Sequence, residues 1–177
     1  MNTLGHGLRQ AGFSLIEVMI AVLVFSVGLL GIAGLLVIAT SADHGAYQRT
    51  HVSYLAQNMA DRMSANMAGV WAGAYNNNSY PVTGTPPNCN AGCNAAQLAA
   101  YDQAQWSAQL NTFLPNPSAT IQCNNAGVGY MPNTGQLAMR PPYGGNCAMT
   151  ITWSDRGFGD ATGRDTQNQT FAWNFQP

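Results

Sequence analysis

The sequence contains no lysine, and Glu17 is its only glutamate. Charged residues make up 7% of the 177 residues, against about 25% in an average soluble protein. The formal net charge is −1, whereas a nucleic-acid-binding surface needs clustered Lys and Arg side chains. We therefore expect no nucleic acid partner. Asn and Gln together number 29, and such a neutral, amide-rich composition suits an exported protein that packs beside others of its own kind.

Charge is also nearly absent from a long apolar run near the amino terminus. The thirty residues from Phe13 to Ala42 include one charged residue, Glu17. A helix of this length spans about 45 Å, more than the ~30 Å hydrocarbon core of a bilayer, which predicts a membrane-spanning helix with length to spare for packing outside lipid. A carboxylate that stays ionised in such a segment costs roughly 2.5–3.5 kcal/mol, so Glu17 is a candidate functional residue.

The residues around Glu17 form the motif GFSLIE, and the short polar segment before it ends in Gly12. This layout resembles the amino terminus of the type IV pilin superfamily, which includes the pseudopilins of type II secretion. The resemblance implies that a prepilin peptidase removes residues 1–12 as a leader and that Phe13 becomes the new, N-methylated terminus. It also implies that Glu17, the fifth residue of the mature chain, is an assembly contact.

Two other interpretations explain less of this segment. A secretory signal peptide carries its apolar core before the cleavage site and small residues at that site, whereas here the apolar run follows Gly12 and has no A-x-A end. A plain membrane anchor explains the hydrophobicity but not the motif. Gly28, Gly31 and Gly34 fit either ordinary membrane-helix glycines or a flexible patch that helps the subunit leave the membrane.

Four cysteines bear on whether the domain holds disulfides or a metal. Cys89 and Cys93 stand close together, but Cys123 and Cys147 form no second close pair, and all three histidines precede residue 52. A zinc site usually needs such a second pair or a nearby His pair, so no metal site is predicted. An even number of cysteines in an exported domain favours disulfides. Local pairing, Cys89 with Cys93 and Cys123 with Cys147, is favoured, and the crossed pairings stay open.

Residue periodicity predicts an α+β domain. The predicted first helix runs from Phe13 to about Met67, and its second half packs on the domain through apolar residues at three- and four-residue steps: Val52, Leu55, Met59, Met63 and Val70. An Asn-, Pro- and Gly-rich loop is predicted over residues 73–94. A second helix is predicted over residues 95–114, capped by Asn94 and ended by Pro115.

Alternating apolar and polar residues predict strands over 119–123, 147–153 and 170–175. The complete prediction is an α+β, pilin-like fold in which a long N-terminal helix, its first half transmembrane, packs on a small antiparallel sheet with one additional helix. With the cleavage and export that the resemblance implies, residues 1–12 are expected to form the leader, 13–42 the transmembrane and assembly helix, and 43–177 a periplasmic globular domain that includes the second half of the long helix.

No catalytic site is predicted, since the sequence has no defensible Ser-His-Asp or Cys-His set and no phosphate-loop lysine. We expect a structural protein with no enzymatic activity and no cofactor. Asp155, Asp160 and Asp165 do not match the spacing of an EF-hand, so a hairpin connection is favoured over a calcium loop. Asp102 is interpreted as a carboxylate at the edge of the core that a tyrosine or backbone donor satisfies.

The segment AQLAAYDQAQWSAQLNTFLP, a preceding cysteine pair and the later TITWSD resemble the PilV-type minor pilins, also called type IV pilus modification proteins. The resemblance implies a low-abundance structural subunit that helps start pilus assembly near the fibre tip, together with other minor pilins and the major pilin. It also implies a single-pass inner-membrane precursor that moves into the pilus. The alternatives are a minor pseudopilin of type II secretion and a DNA-uptake pilin, the latter disfavoured by the missing basic patch.

Overall fold

The computed structural model describes residues 12–156 and 166–177. The chain divides into two compact units, one ending at Asp43 and the other running from His44 to Pro177. The first helix contributes residues to both units. In chain order the elements are α1 (Leu15–Ala65), α2 (Met67–Trp71), β1 (Asn77–Tyr80), α3 (Ala95–Phe113), β2 (Ser118–Asn124), α4 (Thr134–Leu137), β3 (Asn146–Arg156) and β4 (Thr166–Phe175).

The part of α1 that lies in the second unit is amphipathic. Its buried apolar residues recur at three- and four-residue steps, which places them on one face: Val52, Leu55, Ala56, Met59, Ala60 and Met63. Together with the apolar residues of α3 and the sheet they form one hydrophobic core. The predicted apolar stripe is therefore confirmed up to Met63.

The first helix ends at Ala65, close to the predicted end at about Met67, but the separate helix α2, which Asn66 starts, was not predicted. The Asn66 side chain accepts a 3.3 Å hydrogen bond from the N–H of Gly69. An Asn side chain that bonds the backbone in this way favours a helix start over a helix interior. Val70, expected on the long helix, is instead buried on α2.

The second predicted helix is confirmed as α3. Asn94 caps it reciprocally with Gln97: each side chain accepts a hydrogen bond from the other residue's backbone N–H, at 2.9 and 3.0 Å. The helix ends at Phe113, and Pro115 follows two residues later. Trp106 is fully buried, and its indole N–H donates a 2.9 Å hydrogen bond to the carbonyl of Leu55, which joins α3 to α1.

The sheet is antiparallel with strand order β1-β2-β3-β4. Its last three strands contain the three predicted segments. The predicted loop over residues 73–94 was wrong at residues 77–80, which form β1, and the short helix α4 was not predicted. On the central strand β3, Cys147, Met149, Ile151 and Trp153 face the core. The predicted α+β fold, a long N-terminal helix with a small antiparallel sheet, is confirmed.

Candidate processing and assembly site

The motif residues lie where α1 begins. Gly12, Phe13 and Ser14 precede the helix, and the Ser14 carbonyl accepts hydrogen bonds from the N–H groups of Glu17 and Val18, at 3.1 and 3.3 Å. Glu17 therefore stands in the first helical turn, where the partial positive charge of the helix end favours a carboxylate. A Cβ added at Gly12 would meet no other atom within 4 Å.

Phe13 and Glu17 share one open face of this segment with Ala21 and Phe25. The residue spacing explains this arrangement, because side chains four apart lie over one another on a helix. Between residues 12 and 43 the sequence contains two charged residues, Glu17 and Asp43, and no Lys or Arg. No side chain of this stretch can therefore neutralise the Glu17 carboxylate.

The described surface of the first unit is largely apolar. Every large apolar side chain from Phe13, at 84% exposure, to Ile38, at 50%, is at least half exposed. Apolar patches of this extent on a protein surface mark contact with lipid or with other proteins. By length and composition, α1 is the one helix among the described residues that could cross a membrane.

Gly28, Gly31 and Gly34 all lie within α1, and a Cβ at any of them would meet nothing within 4 Å. Among the described residues of this unit, no side chain therefore packs on these glycines, and their backbone surface is accessible to a neighbouring helix. Small residues at such positions permit close helix approach.

The cysteines are joined as two local pairs, Cys89 with Cys93 and Cys123 with Cys147. Cys123 and Cys147 face each other across β2 and β3, so the second disulfide links neighbouring strands at one end of the sheet. Cys93 immediately precedes Asn94, the residue that caps α3. The first disulfide therefore closes a small loop at the start of that helix.

Asp102 is the buried carboxylate that the sequence singled out, and its predicted tyrosine donor is confirmed as Tyr75. The Tyr75 hydroxyl donates to Oδ2 at 2.7 Å, and Nη1 of Arg62 donates to Oδ1 at 3.1 Å. Asn66 Nδ2 donates to the Tyr75 hydroxyl at 3.1 Å and to the Ala95 carbonyl at 2.8 Å. We call Arg62, Asn66, Tyr75 and Asp102 the polar network.

Burial and the hydrogen bond to Asp102 both raise the pKa of Tyr75 above its ordinary value, burial being the larger cause. Sequence reasoning missed Arg62 and Asn66 as members of the polar network, because they lie 40 and 36 residues from Asp102 in the chain. With its acceptor oxygens satisfied by Tyr75 and Arg62, Asp102 is a structural residue that ties α3 to α1 and to the segment after α2.

The hairpin connection that was favoured over a calcium loop includes Asp160 and Asp165, which lie outside the described residues. Asp155 lies near the end of β3. Within residues 12–156 and 166–177, no group of three or more His, Cys, Asp or Glu side chains is placed to hold a metal ion.

Comparison with known protein families adds one finding. Residues 7–33 match the family model described as the prokaryotic N-terminal methylation motif. No curated protein and no solved structure matches the chain. The matched stretch contains Gly12, Phe13 and Glu17, and with the long apolar helix it supports the type IV pilin superfamily. The motif indicates a pilin-like or pseudopilin substrate of prepilin peptidase, processed and assembled with other pilins. The matching family is one of structural proteins.

Proposed function

We propose that this protein is a minor pilin of the type IV pilus, a structural subunit without enzymatic activity that helps to start pilus assembly at or near the tip. The observation that carries this proposal is the match over residues 7–33, joined to an α+β unit with its own core. Its finer part, the likeness to PilV-type minor pilins, rests on the sequence segments around α3 and β3.

In this proposal the prepilin peptidase cuts between Gly12 and Phe13, and the new amine is methylated. Gly12 suits the position before the cut, because it presents no side chain to the peptidase. The exposed apolar surface of the first unit is covered by lipid in the inner-membrane precursor. In the fibre it is covered by the helices of other pilins, and a helix that is apolar apart from Glu17 can exchange one environment for the other.

The Glu17 carboxylate is the assembly contact. A terminal amine is a cation near neutral pH, and the cleavage at Phe13 creates one four residues from Glu17. Since residues 12–43 contain no Lys or Arg, the counter-charge is a terminal amine, either the chain's own or that of a neighbouring subunit, and the resemblance to pilins favours the neighbour. In a low-dielectric helix bundle, such a pair offsets much of the cost of keeping the carboxylate ionised.

The globular unit is placed in the periplasm, where disulfides form and persist. Partners in this proposal are the prepilin peptidase, other minor pilins, the major pilin and the inner membrane. Nucleic acid is not among them, because only Asp102 carries a charged side chain between Arg62 and Arg140 and a basic patch is missing there.

Amino-terminal and intact-mass analysis of the protein from its native host tests the processing step. We expect a chain that begins with methylated Phe13, and a mature chain that keeps residues 1–12 contradicts the proposal. A Gly12→Val variant is expected to accumulate uncut, because its side chain obstructs the peptidase. Gly28→Val is the matched control within the same segment and is expected to be cut normally.

A second measurement separates the pilus from type II secretion, whose pseudopilins share this amino terminus. Deletion of the gene should reduce the number of surface pili and leave secretion of folded enzymes intact. The reverse result favours a minor pseudopilin, and a loss of DNA uptake with normal pili favours a competence pilin.

A further inference from the structure

The two edges of the sheet differ in how they are protected against pairing with another strand. The strand order places β1 at one edge and β4 at the other. Strand β1 has four residues, its register with β2 is irregular between Asn77 and Tyr80, and Pro81 follows it. Short length, irregular register and a proline are the devices that keep an edge strand from recruiting a partner.

Strand β4 has none of these devices. It pairs with β3 at ten consecutive positions, from Arg156–Thr166 to Cys147–Phe175, in continuous register. Its sequence, TQNQTFAWNF, contains no charged residue, no proline and no glycine. Within the part of the chain that the structure describes, no strand pairs with its outer side. The outward backbone N–H and C=O groups of β4 therefore form a long, neutral template for another strand.

The side chains of β4 also leave apolar surface at this edge. Phe171 and Trp173 face the core side of the sheet, since they pair with the buried Ile151 and Met149, yet both stay partly exposed. Trp173 stacks on Phe175 with ring centroids 4.7 Å apart. On the opposite side of the strand the exposed side chains are small or polar: Asn168, Thr170, Ala172 and Asn174. A strand added beside β4 would cover the two aromatic rings.

We propose that a second copy of this chain pairs with the outer edge of β4, antiparallel and about a two-fold axis at Ala172. In that register Phe171 lies opposite Trp173 of the second copy, and Thr170 lies opposite Asn174. Aromatic residues directly opposite one another are favourable cross-strand pairs. The axis passes between two alanines, which have the smallest side chains of the strand.

The edge of β4 is complementary to itself, which favours a second copy as the occupant. About an axis at Ala172, Phe171 of each copy meets Trp173 of the other, whereas charged residues on an edge strand would oppose such pairing. Strand β4 carries no charge, so self-pairing meets no repulsion along its length. A two-fold axis uses the same edge on both copies, which leaves no open edge at the junction. The combined sheet has eight strands.

The test uses the full-length chain in membranes or detergent, with Ala172→Cys under mild oxidation. All four native cysteines are in disulfides, so the new thiol is the reactive one. We expect a disulfide-linked homodimer, because opposed residues in antiparallel strands lie within reach of a disulfide. Ala148→Cys is the matched control, since Ala148 lies exposed on the same face of the sheet but on the central strand β3.

Equal crosslinking of Ala172→Cys and Ala148→Cys overturns the proposal, because contact through the apolar helices alone would produce it. Adducts formed only with a different polypeptide also overturn it, as does the absence of any dimer. Retention of both native disulfides in peptide maps shows that each variant is folded.

The register is tested by mixing copies that carry Thr170→Cys with copies that carry Asn174→Cys. We expect the mixture to crosslink more than either variant alone, and equal yields contradict the two-fold register. Adding Ala172→Lys to both copies places like charges at the axis and should abolish the crosslink. Adding Ala148→Lys instead should leave the crosslink intact.

Discussion

The hydroxyl of Tyr75 donates a 2.7 Å hydrogen bond to Oδ2 of Asp102. Both residues are buried, and the bond joins the segment between α2 and β1 to the middle of α3. Arg62 reaches the other oxygen of the same carboxylate from α1. One aspartate thereby fixes three segments that are distant in sequence, which explains why the domain keeps a carboxylate at a buried position.

Removing the Tyr75 hydroxyl tests this role. Tyr75→Phe keeps the ring in the core but leaves Asp102 Oδ2 without its buried donor, so we expect the free energy of unfolding to fall by about 1–3 kcal/mol. Denaturant unfolding of the purified chain measures the loss. Tyr54→Phe is the matched control, because Tyr54 is 60% exposed. Equal stability of the two variants would show that the polar network contributes little.

Buried tyrosines, among them Tyr75 and Tyr80, predict how stability depends on pH. Burial raises the pKa of Tyr80, and burial together with Asp102 raises that of Tyr75. In the unfolded chain both phenols lose their protons near pH 10, whereas the folded chain holds the protons to higher pH. The stabilisation is therefore complete below about pH 10 and is lost as pH rises from there towards the folded pKa values.

The measurement is the free energy of unfolding at a series of pH values on either side of about pH 10. Tyr80→Phe removes one of these groups, so its stability should fall less steeply with alkaline pH than that of the parent chain. The Tyr80 hydroxyl also donates to the Tyr75 carbonyl at 3.0 Å, so the variant is less stable at neutral pH. If the unfolding free energy of this variant depends on alkaline pH as steeply as that of the parent chain, Tyr80 does not have a raised pKa in the folded state.

The two disulfides should differ in their contribution to stability. They close sequence separations of 24 residues for Cys123–Cys147 and 4 residues for Cys89–Cys93. In the chain-entropy model the longer loop contributes about 3 kcal/mol and the shorter one about 2 kcal/mol. We expect Cys123→Ala/Cys147→Ala to lower the unfolding midpoint more than Cys89→Ala/Cys93→Ala does. Cys147 is also fully buried, so its truncation loses packing as well.

Non-reducing peptide mapping of the exported protein checks the pairing on which this prediction depends. Crossed pairs, or free thiols in the native protein, would refute the assignment. If the pairing is local but the two double variants lose equal stability, the predicted difference between the two disulfides is contradicted even though the pairing is right.

Elements with a strong local signal could be predicted from the sequence. Helix α3 has a capping Asn94, an apolar face and a terminating Pro115, and all three are local features. The strands β2, β3 and β4 could be predicted because apolar and polar residues alternate along them. Strand β1 could not be predicted, because its residues NNSY lack β-branched side chains and its structure depends on pairing with β2 and on the buried Tyr80.

The candidate sites also differ in whether their residues are close together in the sequence or are brought together by the fold. Gly12, Phe13 and Glu17 lie within one six-residue motif, so the sequence alone is enough to predict them as candidate site residues. The polar network could be predicted only in part: Asp102 stood out as a lone charge, but Arg62 and Asn66 reach it through the fold. The break between α1 and α2 was missed because the apolar periodicity continues through it, while the Asn66 side chain bonds the backbone of Gly69 and starts a new helix.

The last prediction concerns Glu17. Glu17→Gln keeps the size and shape of the side chain and removes its charge, so it separates an electrostatic role from a packing role. The amide still fits the first turn of α1, and Gly12 and Phe13 are unchanged. We therefore expect normal cleavage and normal membrane insertion, which intact-mass analysis of the membrane fraction checks. Without the carboxylate, the amine of the neighbouring subunit loses its counter-charge, and incorporation into pili should fall sharply.

Asp43→Asn is the matched control, because it makes the same carboxylate-to-amide change at the exposed far end of the apolar segment. Immunoblots of sheared pili, normalised to the membrane pool, compare the two variants with the parent chain. We expect the Asp43 variant at parental levels and the Glu17 variant strongly depleted. If both reach parental levels, then Glu17 is not the assembly contact. A specific pair with the amine of Phe13 requires the carboxylate at Glu17 and not the one at Asp43. If both variants are depleted, loss of negative charge anywhere on the segment reduces incorporation, and the specific pair is contradicted.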